Sequence, residues 1–263
     1  MNRSLTDLYS AALPADRQGE AGHRYVLGMY ELLSRLTGDF PEVLFEGCAG
    51  GGGRFDAGIL AYCPQIWCSD NTDPVARLSI QYGTSFGYPV SAVGAHVSVA
   101  PNHQTGRTTP LGTRATVAMS GTFGYELDPA KLSESEKTEI RAQLARFRAL
   151  SPLIGSGEYY RLSEGGKPPF TAWQLVAPDR GETLLSLVRT DPEANPRPLH
   201  LCLKGLDCDA VYVLEDAAFY GCGASMETGL RLTGAALMYA GLTLPQMLGD
   251  YPSVQLRWKR ADE

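Results

Sequence analysis

The feature that most limits the fold of this chain is a change of pattern near residue 155. Before it, short apolar runs that read as strands alternate with longer stretches of helical spacing. After it come "EYYRL", "TAWQLV", "TLLSLV", "LHLCL" and "AVYVLE", short β-rich runs cut by Gly, Pro and Asp turns. Strand alternating with helix is the pattern of a parallel sheet, and regularly spaced short strands are that of a β-sandwich. The sequence therefore predicts an α/β part over residues 1–154 and an all-β part over 155–263. No low-complexity linker separates the two, which predicts that they pack together.

Within the first part, Glu20 to Leu36 carries Tyr25, Leu27, Met29, Tyr30, Leu32, Leu33 and Leu36, the spacing of a long helix. Val43-Leu44-Phe45 reads as a short buried strand that runs into the glycine-rich loop Gly47 to Gly53. Asp56 to Tyr62 reads as a helix and Gln65 to Cys68 as a buried strand. Pro74 opens a helix bearing Val75, Leu78, Ile80 and Tyr82, with proline in its first turn. Further helices are predicted near Leu111 to Ser120 and from Ser133 to Leu150, where Ser133 and Glu136 form a capping-box pattern. Four strands, near Leu44, Ile66, Val93 and Phe123, are half of a (β/α)8 barrel, which takes about 250 residues. A small open sheet fits the same pattern.

Composition narrows the function classes. The 263 residues are 44% hydrophobic and 20% charged, ordinary for a globular protein. A net charge of -6 with no block of Lys and Arg speaks against nucleic-acid binding. No apolar run approaches the ~20 residues of a membrane span. Met1 to Asp7 is polar and lacks a signal-peptide pattern, so a cytoplasmic location is expected. Cys48, Cys63, Cys68, Cys202, Cys208 and Cys222 form no CxxC pair. His23, His96, His103 and His200 are scattered, so thiols and no metal site are expected.

Three stretches carry candidate chemistry. In "GCAGGGGRFD" a glycine run follows a strand, where backbone N–H groups approach a ligand closely. It lacks both the P-loop Lys and the GxGxxG spacing, so a nucleotide is a weak reading, and Cys48 as nucleophile has no histidine at a suggestive position. A flexible loop is the bland alternative. In "HVSVAPNHQTGR", His96 and His103 suit metal binding or proton transfer, but loop histidines more often hold neighbouring loops by hydrogen bonds. In "QIWCSDNTDP", Asp70 and Asp73 lie between a strand and a helix, and either suits an N-cap. Asp73, next to Pro74, is better placed to cap. Asp70 follows the buried Trp67 strand, and a carboxyl against an apolar wall has its acid form favoured, which suits a general acid.

The stretch "LFEGCAGGGGRFDAGILAYCPQIWCSDNTDPVARLSIQYGTSFGYPVSAVGAHVSVAPNHQTGR" resembles the α-galactosidases of glycoside hydrolase family 36, the melibiases. The similarity continues through "AMSGTFGYELD", "YYRL" and "TAWQLV" to "GAALMYAGLTLP", so it covers essentially the whole chain. It implies α/β plus all-β architecture: the second half of a (β/α)8 TIM barrel followed by a C-terminal β-sandwich. It implies retaining hydrolysis of terminal α-galactosides such as melibiose and raffinose, with Asp70 as the general acid/base. Cys48, Ala49, Gly50 and Gly51 correspond to the family's Cys-x-Gly-Gly pocket, with Gly47 where Ser is common in relatives. Asn2 corresponds to a substrate-contacting Asn. No metal or organic cofactor is implied.

A retaining glycosidase needs two carboxylates about 5 Å apart, one of them a nucleophile. In the family it is the Asp of "KWDMNR", and the register of Met1-Asn2-Arg3 puts it one position before Met1. A fragment of a longer α-galactosidase is the reading this implies, inactive alone and homo-oligomeric when intact. The alternatives are an inactive sugar-binding or interaction protein, a relative acting on α-N-acetylgalactosaminides, and a galactosyl transferase. Retention of Asp70 favours the enzyme.

Overall fold

The computed structural model describes residues 8–261. They fall into two compact units: the chain through Asp70 together with Ala92–Gly94, and Asn71–Ser91 together with everything from Ala95 onward.

The first unit opens with helix α1 (Gly19–Asp39), whose apolar spacing is realised but which buries no residue fully. Met29, Tyr30 and Leu33 pack partly against Ile59, Cys63 and Ile66, while Leu27 and Leu32 stay exposed. The expected strand Val43-Leu44-Phe45 is not formed, and Leu44 is 87% exposed. Strand β1 is Glu46–Gly47 instead, paired parallel with β2 (Gln65–Ile66). Gly47 lets the strands close without moving Ile66: a Cβ there would lie 2.6 Å from Ile66 Cδ1, the far end of that side chain. The indole-bearing Trp67 then donates its backbone N–H to the Gly47 carbonyl at 2.7 Å. Ile66 bridges in parallel to Val93, which carries the sheet one step further. The helix expected over Asp56 to Tyr62 shrinks to one 3-10 turn, Ile59–Ala61. Asp56 Oδ1 accepts from the Ile59 N–H and the Tyr30 hydroxyl, and such local side-chain bonds compete with helix formation.

In the second unit, α2 (Pro74–Thr84) starts as expected, with Asp73 accepting from the Val75 N–H. Strand β3 (Gly94–Ser98), helix α3 (Leu111–Ala118), strand β4 (Thr122–Glu126) and helix α4 (Glu134–Ser156) follow, and β3 pairs with β4. The capping box of Ser133 and Glu136 is present in full. Helix α4 does not end near Leu150 but runs through Pro152 to Ser156. An interior proline costs about 3 kcal/mol. Burying Leu153 and Ile154 against the sheet, at about 1.5–3 kcal/mol each, offsets it.

The all-β part is one antiparallel sheet in the order β10-β9-β12-β7-β6-β5. Its strands are β5 (Glu158–Arg161), β6 (Phe170–Val176), β7 (Glu182–Arg189), β9 (Val211–Tyr220), β10 (Arg231–Thr233) and β12 (Ser253–Arg260). A two-stranded ribbon of β8 (His200–Leu201) and β11 (Leu242–Thr243) supplies the facing layer. Leu185, Leu187, Val254, Leu256 and Trp258 point into that core with Leu203, Leu237 and Leu244. On the opposite face Leu175 and Leu184 meet Leu150, Leu153 and Ile154 of α4, and Trp173 and Val188 meet Leu78 and Val117. A sheet covered on both faces needs apolar residues at odd and even positions alike, which is why "TAWQLV" and "TLLSLV" do not alternate.

Candidate active site

The site is built at the carboxyl end of β1 and β2, within the first unit. After β1 the backbone enters a left-handed turn: Ala49, Gly50, Gly51 and Gly52 have φ of 59, 66, 74 and 93°. L-residues avoid this region, at roughly 1–2 kcal/mol each, so three of the four positions are glycine. The fourth, Ala49, is buried and carries that strain. The amides of Gly52 and Gly53 donate back to the carbonyls of Cys48 (2.8 Å) and Ala49 (3.1 Å). Those two amides are consumed inside the turn.

Its role is close approach. A Cβ on Gly51 would sit 2.7 Å from the Asp70 nitrogen, and one on Gly52 would sit 2.9 Å from the Cys68 carbonyl oxygen. The turn therefore lies directly against the backbone of residues 68–70. That contact brings together the two groups singled out in the sequence, with Cys48 Sγ 4.0 Å from Asp70 Oδ1. The same Oδ1 accepts a hydrogen bond from Trp67 Nε1 at 3.2 Å. Asp70 itself is exposed, so the apolar wall expected behind it is replaced by the polar edge of an indole. Trp67 was expected to pack, and it is buried, but sequence gave no sign that its N–H would orient the carboxylate. Behind the turn lies a cavity of about 270 Å³ lined by Met29, Leu33 and Leu36 of α1 with Cys48 and Ala49. Cys63 lines it too, and burial pushes its thiol pKa up, which keeps it inert. Asn2 lies outside the described residues.

Asp73 does not join the site. It is fully buried in the second unit, caps α2 and forms an ion pair with Arg107. The histidines of the 96–107 stretch do less than their neighbours. His96 Nδ1 is 3.8 Å from a Glu126 oxygen, and His103 lines a cavity of about 510 Å³ with Arg114 and Glu126. Asn102 organises the loop instead. It is buried, its Oδ1 accepts from the amides of Gln104 (3.0 Å) and Thr105 (3.1 Å), and its Nδ2 donates to Thr72 Oγ1 at 3.0 Å. Among the described residues no cluster of His, Cys, Asp and Glu has the arrangement of a metal site, and no helix is long and apolar enough to cross a membrane.

The Melibiase family model matches residues 1–157, and the Glycosyl hydrolase family 36 C-terminal domain matches residues 170–257. The chain belongs to this family of glycoside hydrolases. It is 48% identical over its whole length to the α-galactosidase AgaA of Geobacillus stearothermophilus and to the bifunctional α-galactosidase/sucrose kinase AgaSK of Mediterraneibacter gnavus. It spans 34% and 26% of those proteins, about a third of the first and a quarter of the second. An AgaA variant solved in complex with raffinose superposes with a TM-score of 0.89 at 47% identity, covering 99% of this chain and 35% of that one. The α-galactosidase of Lactobacillus brevis superposes with a TM-score of 0.90 at 37% identity, over 100% of this chain and 35% of that one.

Proposed function

We propose that this chain carries the acid/base half of a retaining α-galactosidase that removes terminal α-galactose from oligosaccharides of the melibiose and raffinose type. The observation that carries the reading is Asp70, an exposed carboxylate at the end of β2 fixed by Trp67 Nε1 and flanked by Cys48. Asp70 protonates the leaving glycosidic oxygen, then as carboxylate takes a proton from the attacking water. Cys48, Ala49, Gly50 and Gly51 form the rim against which the galactose ring rests, and Asn2 contacts the same sugar. Two AgaA variants solved with sugars support the assignment of aspartates to the chemistry. The raffinose complex carries an Asp to Asn replacement and the stachyose complex an Asp to Ala replacement.

In this reading residues 1–154 are the second half of the catalytic barrel and 155–263 the sheet domain behind it. Its six thiols, none of them in a disulfide, accord with a cytoplasmic location, and the intact protein assembles as a homo-oligomer. The test is Asp70→Asn in the natural gene product. Hydrolysis of melibiose falls about 10²- to 10⁴-fold. Azide restores turnover on an activated aryl galactoside by replacing the water that the missing base would activate. Unchanged kinetics on melibiose would remove Asp70 from the mechanism.

A further inference from the structure

The cavity of about 510 Å³ beside His103 has no part in the acid/base reading, and every residue that lines it belongs to the second unit. The chain leaving β3 supplies Val99, Ala100 and His103 to its wall. The chain leaving β4 supplies Leu127, Asp128, Lys131 and Leu132. Two paired strands thus open their carboxyl ends onto one hollow, which is where α/β folds hold their ligands. Its volume falls within the roughly 300–1,000 Å³ of small-molecule pockets.

Arg114 sets the chemistry of this hollow. It sits on α3, a helix buried on every side, and only 7% of its surface is exposed. Nη1 donates to the Ser98 carbonyl, Nε has no partner, and the guanidinium forms no ion pair among the described residues. Burial pulls its pKa down, and the charges of Glu136 and Glu139 push it back up. A buried charge is costly unless it is partnered. The unspent N–H groups of Arg114 therefore point to a partner that the protein does not itself supply.

The rest of the lining decides what that partner is. A bare anion at Arg114 would face Glu126, Asp128 and Glu136, and a bare cation would face Arg114 and Lys131. A hydroxyl both donates and accepts, so a neutral ligand rich in hydroxyls answers both signs at once. Glu136 is free to take part: Ser133 occupies Oε2 through its amide and its hydroxyl, and Oε1 accepts from no described residue. His103 is exposed and spends neither ring nitrogen on a described residue. Val99, Leu127 and Leu132 add an aliphatic wall suited to the C–H face of a sugar ring.

We propose that this cavity is a binding site for a neutral sugar, anchored by Arg114, with Glu136 accepting from its hydroxyls and His103 at the rim. The assignment does not depend on Asp70.

The test is calorimetric titration of the natural gene product with glucose, mannose and sucrose, which carry no galactose for a galactoside pocket to claim. At least one is expected to bind, with one sugar per chain. Arg114→Met weakens that binding by about tenfold to a hundredfold, the weight of a hydrogen bond to a charged group. His103→Ala, which removes no bond within the protein, weakens it by about threefold to tenfold, and it carries the test should Arg114→Met fail to fold. Undiminished binding in the folded variants would put the sugar elsewhere and overturn the proposal, as would the absence of binding by all three sugars. Tighter binding of inorganic phosphate or of glycine in the same titration would overturn it in favour of an anion or a zwitterion. A protein inert on melibiose that still binds a sugar through Arg114 would refute the acid/base reading and leave this site standing.

Discussion

Replacing Gly51 by alanine separates two reasons for a glycine that are usually confounded. At φ +74° the substitution carries the left-handed penalty of about 1–2 kcal/mol. Restricting the unfolded chain returns about 0.4–1 kcal/mol, so strain alone leaves a loss near 1 kcal/mol. The second reason is contact: the new Cβ would stand 2.7 Å from the Asp70 nitrogen and 3.1 Å from Ser69 Cα, both backbone atoms that cannot rotate away. Opening such a contact to ordinary van der Waals distance displaces the turn or the 69–70 backbone, and overpacking of that kind costs about 1–3 kcal/mol. Gly106 provides the control, because its φ is +70° and a Cβ there meets nothing within 4 Å. Urea unfolding followed by tryptophan fluorescence should therefore show Gly106→Ala losing about 1 kcal/mol and Gly51→Ala about 2–4 kcal/mol. On the proposed acid/base reading, Gly51→Ala in the natural gene product should also lower melibiose turnover by more than tenfold, since the displaced backbone is that of Asp70. Equal losses in the two variants would refute the argument that close approach, rather than handedness, places glycine at 51.

Three further outcomes follow from the same geometry. Asp73→Asn leaves Arg107 without its anionic partner beside a fully buried side chain, and should cost about 2–3 kcal/mol in urea unfolding, below a fully buried pair because Arg107 is partly exposed. Ala49→Gly relieves the one non-glycine residue of the left-handed turn and should leave stability equal or up to about 1 kcal/mol higher in urea unfolding. Ser133 holds the Glu136 carboxyl pKa below its usual value through a backbone and a side-chain hydrogen bond. A depressed folded pKa gives stability that is present above the unfolded value and is lost as pH falls through the folded one. Thermal melts of Ser133→Ala should show a smaller loss than wild type on acidification below about pH 4.5.

What could be read from sequence was set by local chemistry. Ser133 with Glu136, and Asp73 beside Pro74, announce helix starts whose bonds are complete within four residues, and both stand as expected. The number and order of the first four strands were legible, but the first was placed too early. Val43-Leu44-Phe45 is more apolar than Glu46-Gly47, and the strand is set by pairing with the distant Gln65 and Ile66. Helix α4 passed its proline because Leu153 and Ile154 found a sheet to cover, a gain no local window contains. Asp70 and Cys48 are singled out by family likeness, and their meeting depends on a handedness that a glycine run permits without specifying. The Trp67 N–H, and the bonds of Asn102 to a threonine thirty residues away, have no signature in composition or spacing.

The sheet also bears on how such a chain can be inherited. The two matched family segments, 1–157 and 170–257, suggest modules that recombination could exchange. Yet Trp173, Leu175, Leu184 and Val188 are shielded by side chains from α2, α3 and α4, which belong to the first segment. A gene carrying the second segment alone would present that wall of aliphatic and indole surface to water and to copies of itself. The boundary visible in sequence is thus a seam through a shared core, and the second segment taken alone loses the cover of one face of its sheet.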